Sequence, residues 1–218
     1  MRRAAKILRL NRKTVARKIA YLAKVADLSL ESTRAAHGTC PEIHLDELIT
    51  FEHTRCKPVA VAMAVSKERA ILAFAVSPMP PMGVHLRKIA LEKYGKRPNL
   101  RRKGLAQCLR GIQPHVGPRT VFMTDEEPSY PSLIRGHYPG REHRRFRSRR
   151  AVIAGQGELK DHSFDPLFAI NHTFAMLRAN LARLVRRTWV TTKKLSRLEE
   201  FLKIYAAFHN AALISQAS

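Results

Sequence analysis

The chain has 218 residues, enough for one sizeable domain or one domain with a small appendage. Its 45% hydrophobic content excludes a disordered chain, and an excess of 40 Lys and Arg over 17 Asp and Glu excludes an enzyme built for neutral substrates. The net charge of +23 calls for a polyanionic partner, with nucleic acid first and a ribosomal or membrane-surface role carrying the same sign.

From the N-terminus, Ala4, Ala5, Ile7 and Leu8 predict a short apolar helix, and Asn11 can cap a second one. That second helix, Arg12 to about Ala23, turns Val15, Ile19 and Leu22 inward and leaves Arg12, Lys13, Arg17 and Lys18 outward. A short helix, a tight turn and a basic second helix form a helix-turn-helix pattern, whose second helix enters the DNA major groove. The bland reading is a helical hairpin with a solvated basic face. The third helix that usually completes such a unit is missing ahead of it, so the start reads as truncated. Nothing there reads as a signal peptide, because a continuous apolar core and a cleavage site are lacking.

Three strands follow, over 42–51, 58–66 and 69–77, with short connections that predict an antiparallel meander. Helices are expected over 84–94 and 100–113, a fourth strand over 119–125, a short helix over 129–135 and a fifth strand in "EHRRFRS". Residues 155–166 read as a loop. The longest periodic stretch then places Phe168, Ile170, Phe174, Leu177, Leu181, Leu184 and Val185 along one helix, with Arg178, Arg183, Arg186 and Arg187 mostly off the stripe. A final amphipathic helix spans 195–209. Cys40, Cys56 and Cys108 have neither zinc-site spacing nor a disulfide pattern, which fits a reducing cytoplasm, and no apolar run approaches the roughly 18 residues of a membrane span.

Two acids stand out in this order of elements. Asp46 lies in the first strand and Asp125 ends the fourth, and in a mixed sheet those strands can be neighbours. Paired carboxylates suit Mg²⁺, which takes oxygen ligands and leaves room for substrate phosphates, and two such ions serve phosphodiester chemistry. Taken singly, Asp46 is equally a solvent-facing strand acid and Asp125 a turn former before "EEP". Glu126 and Glu127 read as solvent or turn residues. The run "REHRRFRSRR" (141–150), with Arg144, Arg145 and Arg147, can grip backbone phosphates or lie solvated, and Trp189 reads as a core anchor.

The stretches "LDELITFEHTRCKPVAVAMAV", "YGKRPNLR", "TDEEPSYPSLIRGHYPGREHRR" and "INHTFAMLRANLARLVRRTWVTTKK" make the chain resemble insertion-sequence transposases of the DDE type, over most of residues 2–210. The resemblance implies an α/β fold of the α+β kind, an RNase H-like mixed five-stranded sheet flanked by helices. It divides the chain into a partial helix-turn-helix (1–30), a linker (31–41), an RNase H-like DDE domain (42–212) and a tail (213–218). It implies two Mg²⁺ (or Mn²⁺) ions, with Asp46 and Asp125 as the first and second catalytic acids and metal ligands. Asn171 falls where relatives place a Glu; it can coordinate through its carbonyl oxygen but brings no charge and cannot act as a base. Glu158, Asp165 and His172 are alternatives for that third position.

The implied function is binding of transposon ends and metal-dependent cleavage and strand transfer. Partners would be double-stranded DNA, at element ends and target, and further copies of the chain in a synaptic complex, with no membrane. DNA contacts fall to Arg12, Lys13, Arg17, Lys18, Arg144, Arg145, Arg147 and Arg178, and the location would be the bacterial cytoplasm, with the nucleoid. Relatives often carry a Cys-rich zinc ribbon ahead of the helix-turn-helix, and none is present here, which again reads as truncation. The alternative is a degenerate DNA-binding remnant with an inert RNase H-like domain.

Overall fold

Nine small or apolar residues in a row, "PVAVAMAVS", form strand β2 (Pro58–Ser66), and every one of them is buried. A strand apolar on both faces needs cover on both sides of its sheet. The computed structural model describes residues 2–147, 165–184 and 191–215, the last three by backbone alone. Within them, β1 (Cys40–Phe51), β2 and β3 (Ile71–Pro78) form the expected antiparallel meander, with Ile43 opposite Ser66 and Val59 opposite Pro78. Strand β4 (Val116–Asp125) pairs parallel to β1, and β5 (His143–Phe146) parallel to β4. The order β3-β2-β1-β4-β5, with β2 alone running against the rest, is the mixed five-stranded sheet of an RNase H-like α+β fold.

Helices cover both faces. On one, α4 (Arg101–Gly111) and α5 (Tyr130–His137) bring Leu105, Leu109, Tyr130 and Ile134 against Ile43, Leu45 and Leu72. On the other, α6 (Phe168–Asn180) and α7 (Leu195–Ser215) bring Ile170, Phe174, Leu198 and Leu202 against Leu48, Val61 and Met63. Alternate residues of β1 therefore enter different cores: Ile43 and Leu45 face α4 and α5, whereas Leu48 faces α6 and α7. Helix α3 (Val84–Tyr94) matches its expected bounds.

Four expectations need correction. The second helix, α2, runs from Arg12 to His37, so the segment read as a linker over 31–41 is helix and then the start of β1. It follows α1 (Arg2–Ile7), with Asn11 capping as expected by accepting from the Lys13 N–H at 2.8 Å. Its buried stripe is Ile19, Ala23, Ala26 and Leu30, while Leu22, expected inside, is 45% exposed. Leu30 joins the core of α6 and α7, and the Lys203 ammonium on α7 reaches Asp27 at 2.7 Å. The long helix ends at Asn180, because Leu181 is extended (φ −108°, ψ 90°) and a 3-10 turn follows over Ala182–Leu184. Helix α7 extends past the expected 209 to Ser215. Glu158, Val185, Arg186, Arg187 and Trp189 lie outside the described residues, as does most of the loop over 155–166. Among the described residues no helix is long and apolar enough to cross a membrane. The three cysteines are free and buried.

Candidate functional site

The parallel pairing of β1 with β4 sets His44 opposite Met123. Asp46 lies two residues beyond His44 on β1, and Asp125 lies two beyond Met123 at the end of β4. Burial, the largest cause, and then the charge of Asp125 push the Asp46 carboxyl up from 3.8 to about 7, against the lowering effect of its hydrogen bond from the Glu47 N–H. The two acids named from sequence thus lie on adjacent strands, and the charge of Asp125 is felt at Asp46.

Each aspartate is oriented by local backbone. Asp46 Oδ1 accepts from the Glu47 N–H at 2.6 Å and from the Tyr130 hydroxyl of α5 at 3.3 Å. Burial and the nearby carboxylates hold that phenol strongly in its protonated, donating form. Asp125 Oδ1 accepts from the Glu127 N–H at 3.0 Å, the turn chemistry expected of an Asp before "EEP". Glu126 is exposed and Glu127 lies in the turn, as expected, but the Glu127 carboxylate also accepts from Arg101 at 3.0 Å. Arg101 also binds Glu47, whose other oxygen, Oε1, is buried without a hydrogen-bond partner. Sequence reading passed over Glu47, Arg101 and Tyr130. Only the adjacency of Glu47 to Asp46 could have drawn notice.

The third position is less closely drawn in. Asn171 is an exposed residue near the start of α6, and its amide donates to Asp165 Oδ2 at 2.9 Å. Among the described residues no hydrogen bond joins Asn171 to Asp46 or Asp125. Asp165 also accepts from the Leu167 N–H at 2.9 Å. Its charge is one of several felt by His44, on the same face of β1 as Asp46, where burial dominates and lowers the imidazole's pKa. His172 points elsewhere, its Nδ1 lying 3.1 Å from Arg69 at the β2–β3 turn.

No cluster of three His, Cys, Asp or Glu side chains suited to a metal occurs among the described residues. The acids named from sequence therefore offer two carboxylates, while the Asn171 amide is engaged with Asp165. Two carboxylates on adjacent strands, one of them raised mainly by burial and further by the charge of the other, suit a hard divalent cation that would offset both effects.

Of the basic residues, Arg12, Lys13, Arg17 and Lys18 are all exposed on α2. Arg144, Arg145 and Arg147 are exposed on and just beyond β5, with Arg144 holding Glu142 at 2.6 Å. Arg178 is half-buried on α6. Arg183 stacks over the Phe201 ring at 3.9 Å, and burial lowers its pKa, which marks it as packed against α7.

No family model matches the sequence, and no curated protein is similar to it in sequence. Among solved structures, the chain is similar to the crystal structure of the catalytic domain of Mos1 mariner transposase at 12% identity, over 93% of this chain and 94% of that one. The TM-score is 0.29, too low for that likeness to carry any argument.

Proposed function

We propose that the chain is a DNA transposase of an insertion element, which binds element ends and carries out metal-dependent strand cleavage and strand transfer. The observation that carries this reading is the juxtaposition of Asp46 and Asp125 on neighbouring parallel strands, set in a chain of net charge +23. An acid pair inside a strongly basic protein makes chemical sense when the acids hold a cation and the cations hold a polyanion.

In this reading Asp46 and Asp125 hold the metal, and Asn171 contributes its amide carbonyl. Bound Mg²⁺ or Mn²⁺, as two ions, supplies Lewis-acid polarisation of a phosphodiester and a lowered pKa for the attacking water or 3′-hydroxyl. The chain's own residues do the rest. Tyr130 and the Glu47 N–H orient Asp46, while the Glu127 N–H orients Asp125. Arg12, Lys13, Arg17 and Lys18 on the α1–α2 helix pair, read as a helix-turn-helix, face one length of duplex. Arg144, Arg145, Arg147 and Arg178 grip backbone phosphates nearer the acids. Further copies of the chain would assemble on paired element ends.

One observation favours a second reading, a DNA-binding remnant with an inert catalytic domain: Asn171 is uncharged and already engaged with Asp165. A single experiment separates the two. Strand cleavage of cognate element ends is measured with Mg²⁺ or Mn²⁺, for the chain and for Asp125→Ala. The transposase reading expects cleavage that falls by about 100-fold or more in the variant. Equal cleavage by both, or none by either, removes it.

A further inference from the structure

Arg101 opens α4 and is followed by Arg102 and Lys103, with no acidic residue in that first turn. Cations are disfavoured at a helix N-terminus, where the dipole is already positive. What offsets this lies on other elements. Arg101 Nε and a terminal guanidinium nitrogen both reach Glu47 Oε2 at 2.6 Å, and that terminal nitrogen also reaches Glu127 Oε2 at 3.0 Å. Glu47 follows Asp46 on β1 and has a side chain only 3% exposed. Glu127 lies two residues past Asp125, in the turn that leaves β4.

The other half of the arrangement runs through the backbone. The Glu47 N–H holds Asp46 Oδ1 at 2.6 Å, and the Glu127 N–H holds Asp125 Oδ1 at 3.0 Å. Each aspartate is thus aimed by the amide of a glutamate whose carboxylate is gripped by the same guanidinium. A planar guanidinium can serve two carboxylates at fixed angles, whereas an ammonium is a point charge without that geometry. With the guanidinium removed, the carboxylates of Asp46 and Glu47 in mid-β1 and of Asp125 and Glu127 at the end of β4 would repel one another.

We propose that Arg101 is a positioning residue, bracing Asp46 against Asp125 through Glu47 and Glu127. The role rests on the reading of the two aspartates as the cation-binding pair. It is the kind of outer support on which the affinity of a metal site depends.

Two variants test it in the full chain. Arg101→Lys keeps the charge and loses the two-armed geometry; Glu127→Ala cuts one arm and leaves Arg101 on Glu47. In metal-free protein, the backbone amides at positions 47 and 127 are expected to exchange hydrogen about tenfold faster or more in Arg101→Lys, while those of Ile43 and Phe122 keep their protection. Mn²⁺ affinity, measured by calorimetry without DNA, is expected to fall about tenfold in each variant and little further in the double variant. Unchanged exchange, with Mn²⁺ affinity within twofold of the parent in both variants, overturns the brace. If Arg101→Lys also loses protection at Ile43 and Phe122 it has unfolded, and Glu127→Ala decides alone. A parent chain that binds no Mn²⁺ sinks the cation reading, and amide exchange then decides the brace. A parent that binds Mn²⁺ without cutting element ends counts against the transposase and leaves the brace standing.

Discussion

Asp46 gives the protein a pH dependence opposite to that of most carboxylates. Its folded-state pKa of about 7 lies above the ordinary 3.8, so the folded chain binds this proton more tightly than the unfolded one. Its contribution to stability is complete below the ordinary value and is lost as pH rises through the folded one. Denaturant unfolding of metal-free protein should therefore show stability falling between about pH 4 and pH 7, by at most about 1.4 kcal/mol per pH unit. Asp46→Asn should flatten that slope; an unchanged slope would mean that other groups cause it. Mg²⁺ competes with the proton, so it should stabilise the chain more at pH 8 than at pH 5. Asp46 and Asp125 could be singled out in the sequence, because the expected order of elements sets the first and fourth strands side by side, as they are here. Glu47, Arg101 and Glu127 could not. Arg101 is 54 residues from one partner and 26 from the other, and no local pattern marks an interaction made only when three elements meet.

Among the elements, α7 shows how a helix can finish a sheet. Asn210, 2% exposed, accepts from the Ile71 N–H at 2.8 Å and donates to the Ile71 carbonyl at 3.0 Å, clasping both backbone groups of one residue on edge strand β3. Asn210→Ala leaves those buried groups without this partner, and a loss of about 2–4 kcal/mol is expected in denaturant unfolding. A loss under about 0.5 kcal/mol would show that water replaces the side chain. Strand β2 and helix α3 could be read to the residue, since each is bounded by Pro, Gly or charge. Helix α2 could not. Its buried stripe uses Ala23 and Ala26 where larger neighbours such as Leu22 look the better core residues, and alanine marks a close helix packing only once the partner helix is known. The end of α6 was equally hidden. Leu181 and Leu184 keep helical spacing across a break that no Gly or Pro announces.

Over the whole molecule, charge and topology were the most legible properties, since both sum over many residues and survive local misreadings. The packing of the N-terminal unit on the rest was not, because Leu30 and Asp27 tie α2 to α7 through residues far apart in sequence, where a separate unit and a linker were expected. If the basic face serves DNA, the logarithm of affinity should fall linearly with that of salt concentration. Replacing Arg144, Arg145 and Arg147 by Gln should make the slope shallower by about 0.9 for each phosphate that is no longer neutralised, as measured by fluorescence anisotropy on duplex DNA. A slope that does not change would return those residues to bulk solvent. The wholly buried strand β2 has a cost during synthesis. The meander leaves the ribosome well before α6 and α7, so a nine-residue apolar ribbon without a charge must wait for the helices that cover one of its faces. Until α7 arrives, that ribbon is a sticky surface for other nascent chains, and holding it soluble falls to chaperones and to the repulsion between chains that the net positive charge provides.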